Sequence, residues 1–486
     1  MKRLNELIAK TPVLHLVGPD DPEINRLVYD SRQVAVGDCF FAVSGTQTDG
    51  HAFIESAVLA GAVAVVCQRL PEKPDPRVSY VVVEDTNAAM ADMAAAFYEY
   101  PSRQLKLVGI TGTNGKTTTV TLLYDLFRHL GYKVGLISTV VYRIDRESIE
   151  STHTTPDTIR LNEMMARMVE AGCEYCFMEV SSHAIVQERI RGLHFTGAIF
   201  SNITHDHLDY HKTFAEYIRA KKLFFDNLPR EAFALVNIDD RNGRVMVQNT
   251  RAAVKTYSLQ SMADFRCKIL ETHPDGMELR LDGNEVWVHF PGRFNAYNLL
   301  SVYATALLLG ADRDEVLRSL STLHPVSGRF EFVRAANGVT AIVDYAHTPD
   351  ALEKVLQTIE ELRRPNQQLL VICGCGGDRD KTKRPEMAQI AAKYATTAIL
   401  TSDNPRHENP EAILDDMVAG LASDDRFMRI TDRSEAIRTA AMLAKPGDFI
   451  LIAGKGHENY QIIGDTKHHF DDKEEVSRAF ELFAKK

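Results

Sequence analysis

The stretch Leu105-Lys-Leu-Val-Gly-Ile-Thr-Gly-Thr-Asn-Gly-Lys-Thr-Thr118 decides the fold of the middle of the chain. Its first seven residues are mostly apolar and predict a buried strand. The glycines that follow let the backbone curl closely around an anion, and the start of a helix supplies N–H groups that bind phosphate. Lys116 can reach the terminal phosphates of a nucleotide, and Thr117 can bind its Mg²⁺.

The residues after this turn predict a helix and then a second strand. Gly131 is placed to end the helix, and the apolar segment 133–139 predicts the strand. Strand, turn, helix and strand form a βαβ unit, which predicts a parallel sheet. The apolar residues that recur at helical spacing are Val120, Leu123, Tyr124, Phe127 and Leu130.

The glycine-rich turn departs from the strict pattern G-x-x-x-x-G-K-[ST], because Ile110 stands where the first glycine belongs. The alternative is a glycine turn with a solvated lysine. A strand before the turn and a helix after it favour a phosphate site. The predicted nucleotide-binding residues of the loop are Gly112, Thr113, Asn114, Gly115, Lys116, Thr117 and Thr118.

The rest of the chain predicts further α/β units. A length of 486 residues corresponds to about three domains at roughly 150 residues each. We expect boundaries that give 1–100, 101–328 and 329–486. The expected strands outside the central unit are 39–43, 62–67, 80–83, 341–344, 369–373, 398–401 and 449–453, and the expected helices are 53–60, 88–98 and 350–362.

Composition excludes several classes of protein. Hydrophobic residues at 45% and charged residues at 25% are typical of globular chains rather than disordered ones. A net charge of −10 is unlike that of a general nucleic-acid binder. No apolar run is long enough to span a membrane, and the N-terminus lacks the apolar core of a signal peptide. Seven cysteines argue against a disulfide scaffold, so we expect a reduced, cytoplasmic protein.

Two segments offer candidate metal ligands. Glu179 ends the apolar run 175–179, and a carboxylate at the end of a strand can reach a Mg²⁺ beside the loop, the alternative being a surface glutamate. The segment 202–211 holds three histidines and two aspartates. Zinc is one possibility there, but no further cysteine or histidine completes such a site, which favours Mg²⁺ beside ATP with His207 as the ligand.

Eight motifs together resemble those of the Mur ligases, the ATP-dependent amide ligases of peptidoglycan precursor assembly. The resemblance runs from about residue 29 to residue 472, nearly the whole chain. The resemblance implies three α/β domains: a UDP-substrate domain, a central P-loop ATPase domain with a parallel sheet, and a Rossmann-like C-terminal domain that binds an amino acid. The motifs are TGTNGKTTT, MEVSSHAIVQER, NITHDHLDYH, GRFNAYN, DYAHTPD, CGGDRDKTKRP, DNPR and AGKGHE.

The resemblance also implies roles for single residues. Lys116, Glu179, His207 and Lys221 match catalytic positions, and Thr117, Glu179, His207 and a carbamylated Lys221 match metal ligands. Spacing alone predicts instead that Lys221 is solvated on an amphipathic helix. Asn295, Arg329 and Asp344 match positions around the nucleotide. The residues that match UDP-substrate contacts are Tyr29, Ser31, Thr46, Gln47, Thr48, His153, Thr154, Thr155, Ser181, Gln187 and Arg189, with His153 standing where the family often has Asn.

The motifs of the expected third domain resemble the pocket of the family members that add meso-2,6-diaminopimelate to a UDP-muramyl dipeptide. An arginine fork suits a distal carboxylate, and acids suit an ammonium group. Residues alone favour a plain turn at 403–405. Three alternatives to a diaminopimelate-adding ligase remain open. They are the lysine-adding ligase of the same family, a folylpolyglutamate-synthetase-like ligase, and a P-loop NTPase switch or transporter subunit. The lysine-adding relatives lack the arginine of DNPR. The matching residues are Arg379, Asp403, Asn404, Pro405, Arg406, Gly454 and Glu458.

Overall fold

The computed structural model describes residues 1–45, 48–423 and 425–483. Three large sheets organise them, with strands taken from 13–83, from 106–288 and from 331–453. The protein is therefore α/β throughout, as the alternation of apolar segments and helical patterns predicts. The domain boundaries at 100 and 328 stay predictions.

The N-terminal sheet has five strands in the order β2-β7-β6-β5-β4. Its last four strands are parallel, and β2 is antiparallel at the edge. The helix expected at 53–60 begins one residue later, after a 3₁₀ turn over Gly50–Phe53. The elements are β1 Lys2–Arg3, α1 Leu4–Ile8, β2 Val13–Val17, β3 Glu23–Ile24, β4 Leu27–Val28, β5 Cys39–Phe41, α2 Ile54–Leu59, β6 Ala64–Cys67, β7 Ser79–Val83 and α3 Thr86–Phe97.

The central segment forms an eleven-stranded sheet. Its strands and helices are β8 Lys106–Thr111, α4 Lys116–His129, β9 Val134–Ile137, β10 Val141–Ile144, β11 Glu147–Glu150, α5 Thr158–Glu170, β12 Tyr175–Glu179, α6 Ser182–Val186, β13 Gly197–Phe200, α7 Leu208–His211, α8 Phe214–Asp226, β14 Phe233–Asn237, α9 Gly243–Met246, β15 Ala253–Ser258, β16 Phe265–His273, β17 Gly276–Leu281, β18 Asn284–Val288, α10 Arg293–Leu308 and α11 Arg313–Leu320.

The strand order of this sheet is β11-β10-β9-β12-β8-β13-β14-β15-β16-β17-β18. The parallel prediction is right for the strands from β9 to β16 and wrong for both edges, where hairpins add antiparallel strands. Antiparallel edges need only short turns, so no glycine-rich crossover announces them. Strand β8 lies in the middle with helices on both faces, which places the glycine-rich turn at the centre of the sheet.

The C-terminal segment forms a six-stranded sheet in the order β19-β20-β24-β21-β22-β23, antiparallel only at β19. The parallel strands end at one edge of the sheet, where ligands of open α/β sheets bind. The elements are β19 Glu331–Arg334, β20 Thr340–Asp344, α12 Pro349–Leu362, β21 Leu369–Cys373, α13 Lys383–Tyr394, β22 Thr397–Leu400, α14 Pro410–Val418, β23 Phe427–Arg429, α15 Arg433–Leu443, β24 Phe449–Ala453, β25 Tyr460–Ile463, β26 Thr466–His469 and α16 Asp472–Phe483.

Two further observations concern membrane-spanning helices and disulfide bonds. Among the described helices, none combines the length and apolarity needed to cross a membrane. All seven cysteines are free and buried.

Candidate active site

The glycine-rich turn connects β8 to the N-terminus of α4. Gly115 has φ +87°, a conformation that favours glycine, and a Cβ there would lie 2.5 Å from Oδ1 of Asn298. Asn202 holds the turn, because its Oδ1 accepts from the backbone N–H of Asn114 at 3.0 Å and its carbonyl accepts from that of Thr113 at 2.8 Å. The positive end of a long helix dipole therefore borders this turn, as an anion site requires.

A cavity of about 510 Å³ lies beside the turn. Its volume falls within the range of roughly 300–1,000 Å³ that is typical of small-molecule sites. It brings together side chains from both the central and the C-terminal sheet. The predicted site residues that line it are Gly112, Thr113, Asn114, Gly115, Lys116, Thr117, Thr118, Thr154, Glu179, Ser181, His207, Lys221, Asn295, Arg329 and Asp344.

Lys116 begins α4 and folds back over the turn. Its Nζ donates to the carbonyls of Gly112 and Thr113 at 2.9 and 2.8 Å. Burial lowers the pKa of Lys116, and the carboxylates of Glu179 and Asp206 oppose that shift. The lysine is thus placed where its charge meets a phosphate bound by the turn.

Glu179 is the last residue of β12 and only 1% exposed. Its Oε1 accepts from the backbone N–H of Thr139 at 2.7 Å and its Oε2 from the hydroxyl of the same residue at 3.1 Å. Within the described part of the chain it forms no ion pair with a cationic side chain. A buried carboxylate with this donor set fits a metal ligand, and the surface alternative is wrong.

Lys221 is 1% exposed on α8, so the solvated lysine expected from spacing is wrong. Its Nζ donates to the carbonyl of Gly112 at 2.9 Å and lies 4.7 Å from the ring centroid of Tyr217. Burial lowers the pKa of Lys221 well below its usual value, and the neighbouring Lys116 lowers it further. Lys221 lies on the face of α8 that packs against the phosphate turn. The sequence of the helix alone does not show that this face is buried.

His207 lies at φ +54° at the start of α7. Burial lowers the pKa of this imidazole to about 3, although Asp206 opposes the shift from 3.4 Å away. The ring is therefore neutral near pH 7, the state in which histidine ligates metals. His205 and His211 do not line the cavity. Among the described residues, no group of three His, Cys, Asp or Glu side chains is arranged to hold a metal ion.

Arg329 joins the C-terminal segment to the phosphate turn. Its Nη2 donates to Oγ1 of Thr117 at 3.0 Å, and its guanidinium lies 4.5 Å from the ring centroid of Tyr345. Its Nε is buried without a hydrogen-bond partner within the described residues, which fits a ligand acceptor at this point. Asp344 accepts from the backbone of Phe330 at 2.7 Å, and burial raises the pKa of Asp344 to about 6. Asn295 is buried beside them.

Four residues that match UDP-substrate contacts form one cluster near the cavity. Arg189 donates to the carbonyl of Thr155 at 2.7 Å and to Oε1 of Gln187 at 2.6 Å. The backbone N–H of Ser181 donates to Oγ1 of Thr155 at 3.1 Å. The hydroxyl of Thr154 accepts a hydrogen bond from the hydroxyl of Thr139, which also bonds to Glu179. This cluster therefore adjoins the candidate metal ligands.

The remaining matches to UDP-substrate contacts lie farther out. Ser31, Thr48 and His153 are on the surface, and Tyr29 is 48% exposed. Partial burial and the Asp157 carboxylate raise the pKa of Tyr29, so its hydroxyl lies near the loop that carries Thr154 and Thr155. Thr46 and Gln47 lie outside the described residues.

A second polar pocket lies where β22 and β24 end. Asn404 donates to Oε2 of Glu458 at 2.8 Å, and a Cβ at Gly454 would lie 2.6 Å from Oδ2 of Asp403. Asp403 and Asn404 are 6% and 5% exposed, and Pro405 is also buried, so the segment expected to be a plain turn packs inside the protein.

The arginines predicted for the pocket flank its rim. Arg406 is half-buried, and its Nη1 donates to the carbonyl of Gly377 at 2.8 Å. A Cβ at Gly376 would lie 2.9 Å from that nitrogen and 3.8 Å from Cγ of Arg379, so both arginines border the same glycine. Arg379 is exposed, as a side chain that meets an entering ligand should be.

The structure adds residues that the sequence analysis missed. Lys455 is fully buried beside Asn404, and Thr139 holds Glu179. Asp350 accepts from Nδ2 of Asn114 at 2.8 Å, which ties the C-terminal segment to the phosphate turn. The motifs AGKGHE and DYAHTPD contain two of these residues, but only the fold shows what their side chains contact.

Three family models match the chain. The "Mur ligase family, catalytic domain" matches residues 23–98, the "Mur ligase middle domain" residues 110–306, and the "Mur ligase, glutamate ligase domain" residues 328–456. Together they span most of the chain, including the phosphate turn and the second polar pocket.

Curated relatives match over nearly their whole length. A protein from Parabacteroides distasonis, named UDP-N-acetylmuramoyl-L-alanyl-D-glutamate–2,6-diaminopimelate ligase, is 55% identical over 98% of this chain and 99% of its own. A protein of the same name from Bacteroides thetaiotaomicron is 53% identical with the same coverage. Both names describe a ligase that acts on a muramyl dipeptide and diaminopimelate.

Solved structures share the fold. A structure with the same ligase name has a TM-score of 0.67 and 33% identity, and the match covers 94% of this chain and 95% of that one. The MurF ligase from Thermotoga maritima in complex with ADP has a TM-score of 0.64 at 19% identity, over 94% of this chain and 97% of that one. Folylpolyglutamate synthase from Mycobacterium tuberculosis has a TM-score of 0.60 at 17% identity, over 76% and 93%.

Proposed function

The chain belongs to the Mur ligase family, and we propose that its cavity binds ATP while its second pocket binds meso-2,6-diaminopimelate. The protein is an ATP-dependent ligase that adds this amino acid to UDP-N-acetylmuramoyl-L-alanyl-D-glutamate in peptidoglycan precursor synthesis. Full-length identity of 55% to a relative of that name carries the conclusion. We propose that the reaction takes place in the cytoplasm, where ATP and nucleotide-linked substrates are available.

The phosphate turn and Lys116 bind the phosphates of ATP. The backbone N–H groups of 112–118 and the helix behind them favour a polyanion, and the lysine stabilises charge on the group transferred. Arg329 has an unpartnered buried Nε at this end of the cavity and supplies a second cation. Asn295 and Asp344 lie farther along the same cavity and contact the nucleoside.

Thr117, Glu179, His207 and Lys221 would hold Mg²⁺ beside the phosphates. A protein site for Mg²⁺ commonly uses one or two carboxylates together with substrate phosphates, which suits the single buried Glu179. Bound Mg²⁺ would neutralise negative charge on the phosphates. Lys221 joins the set as a carbamate: its neutral amine attacks CO₂, an N–C bond forms and a proton leaves. The lowered pKa of Lys221 supports this, because only the neutral amine is nucleophilic.

The ligation proceeds in two steps. The γ-carboxylate of the D-glutamyl residue attacks the γ-phosphorus of ATP, which gives an acyl phosphate and ADP. The amine of diaminopimelate then attacks the acyl carbon, phosphate leaves, and the amine loses a proton. The contacts Arg329–Thr117 and Asp350–Asn114 hold the C-terminal segment over the phosphate turn, which excludes water from the acyl phosphate.

The muramyl dipeptide lies along the cluster around Arg189. Thr154, Thr155, Ser181 and Gln187 present hydroxyl and amide groups there, and Arg189 offers a cation for a substrate carboxylate. Tyr29, Ser31, Thr48 and His153 extend this path toward the uridine, and the proposed contacts of Thr46 and Gln47 rest on the resemblance alone. The path leads the peptide end to Glu179, where phosphoryl transfer takes place.

A requirement assay tests the function. Phosphate release from ATP should need Mg²⁺, the UDP-dipeptide and diaminopimelate together. Rapid phosphate release with either substrate omitted would contradict a ligase and favour a simple NTPase. A product that forms on folate instead of the UDP-dipeptide would favour the folylpolyglutamate-synthetase-like alternative.

A further inference from the structure

Lys455 is a buried cation inside the proposed amino-acid pocket. Its side chain is 0% exposed, and its Nζ lies 3.1 Å from Oδ1 of Asn404, 3.3 Å from Oε2 of Glu458 and 3.7 Å from Oδ1 of Asp403. The residue lies two positions after the end of β24, so the backbone of the sheet fixes its position. No role in phosphoryl transfer accounts for it, because it does not line the ATP cavity.

Apart from Arg379 and Arg406 at its rim, the charges of this pocket sum to one negative charge. Asp403 and Glu458 contribute two carboxylates, and Lys455 compensates one of them. The neighbouring Arg433 and Asp472 form a fully buried ion pair and add no net charge. A pocket with a single negative charge complements one ammonium group.

We propose that Lys455 is a positioning residue that, together with Asn404, fixes Glu458 and Asp403 as acceptors for the non-reacting ammonium group of the incoming amino acid. The inference rests on the proposed assignment of this pocket to diaminopimelate. The reacting amine must lose a proton before it attacks the acyl phosphate. A site that stabilises an ammonium group therefore takes the other amine and leaves the nucleophile free to react.

The hydrogen bonds show how Lys455 acts through its neighbours. Oδ1 of Asn404 accepts from Lys455 and from the backbone of Ile462, which turns Nδ2 of the same amide toward Glu458. Without the lysine, Asn404 loses one of the two bonds that orient it. The two carboxylates would then face each other without a cation between them.

Removal of Lys455 also changes the protonation of Glu458. Burial and Asp403 raise the pKa of Glu458, and Lys455 opposes that shift. Without the lysine this pKa rises further, so a larger fraction of Glu458 holds a proton at a given pH and accepts an ammonium group less well. The other titratable or charged groups that face the pocket are Tyr345, Tyr460, His457, Arg433 and Asp472, with Arg379 and Arg406 at its rim.

The test compares Lys455→Met with Lys467→Met. Lys467 lies on β26 near Tyr460 but is exposed, so its variant is a matched control. We expect Lys455→Met to raise the KM for diaminopimelate about 10- to 100-fold at pH 7. The KM values for ATP and the UDP-dipeptide should not change. The defect should shrink as the pH rises above 7, because a larger fraction of Glu458 is then ionised.

A double variant keeps the inference testable if Lys455→Met folds poorly. Lys455→Met with Glu458→Gln returns the buried charges of the pocket to one negative charge, so it should have a higher Tm than Lys455→Met alone. A KM for Lys455→Met within twofold of the wild type, or a double variant with a Tm no higher than that of the single variant, overturns the inference.

Arg406→Ala in the same assay separates this inference from the pocket assignment. If Arg406→Ala raises the KM for diaminopimelate and Lys455→Met does not, only the role of Lys455 is wrong. If neither variant changes that KM, the amino acid binds elsewhere and both proposals fail.

Discussion

We propose that Arg406 sets the choice between diaminopimelate and lysine. One of its guanidinium nitrogens, Nη1, is committed to the carbonyl of Gly377 at 2.8 Å. Nε and Nη2 remain to form a two-pronged contact with a carboxylate. The distal carboxylate is the group that diaminopimelate has and lysine lacks. Arg406→Ala should therefore weaken the use of diaminopimelate and leave that of lysine nearly unchanged.

The magnitude follows from the burial of this arginine. A hydrogen bond to a charged group contributes about 1.5–3 kcal/mol, and a half-buried side chain keeps about one such contribution after solvent screening. We expect a loss of about 10- to 100-fold in kcat/KM for diaminopimelate, at ~1.4 kcal/mol per factor of ten. ATP binding should stay intact, because Arg406 does not line the ATP cavity.

The assay measures kcat/KM for both amino acids in the wild type, in Arg406→Ala and in Arg438→Ala. Arg438 is a partly exposed arginine of α15 that pairs with Glu435, so its loss controls for charge alone. Unchanged selectivity in Arg406→Ala, or a wild type that uses lysine as well as diaminopimelate, would refute the assignment of Arg406.

Three further variants test other parts of the structure. Lys116→Ala should abolish ligation and weaken ATP binding measured by calorimetry, because the phosphates lose a cation; near-normal turnover would contradict the phosphate site. Lys221→Ala should be inactive, and short carboxylates added to the buffer should restore part of its activity. A mass spectrum of active enzyme, recorded under conditions that preserve a carbamate, that shows an unmodified lysine would count against the carbamate. Arg433→Met leaves Asp472 buried without its partner and should cost about 3–5 kcal/mol of stability, so an unchanged Tm would show that this pair is dispensable.

Local patterns were sufficient for much of the fold. The apolar run before the glycine turn is a strand over Lys106–Thr111, and the helical spacing after it is a helix over Lys116–His129. Two expected strands of the C-terminal sheet, 369–373 and 449–453, have the same bounds in the structure. The strands β10 and β17 were missed, because hairpin strands that face solvent on one side carry short, mixed patterns.

The site was predictable where one segment carries the chemistry. The phosphate turn combines glycines, a lysine and a helix start within a few residues, so its sequence alone indicates its ligand. Lys221 and Lys455 carry no such signal, because what distinguishes them is burial against residues far away in sequence. Resemblance pointed to Lys221, whereas only the fold shows the contacts of Lys455.

The central claim is that this ligase joins diaminopimelate to the muramyl dipeptide. The most direct measurement mixes enzyme, ATP, Mg²⁺ and the UDP-dipeptide with equal amounts of diaminopimelate and lysine, and then weighs the UDP-linked product. The account predicts one product, heavier than the dipeptide by a diaminopimelate residue, with one phosphate released per molecule formed. A lysine adduct in comparable amount, or phosphate released without any adduct, would contradict it.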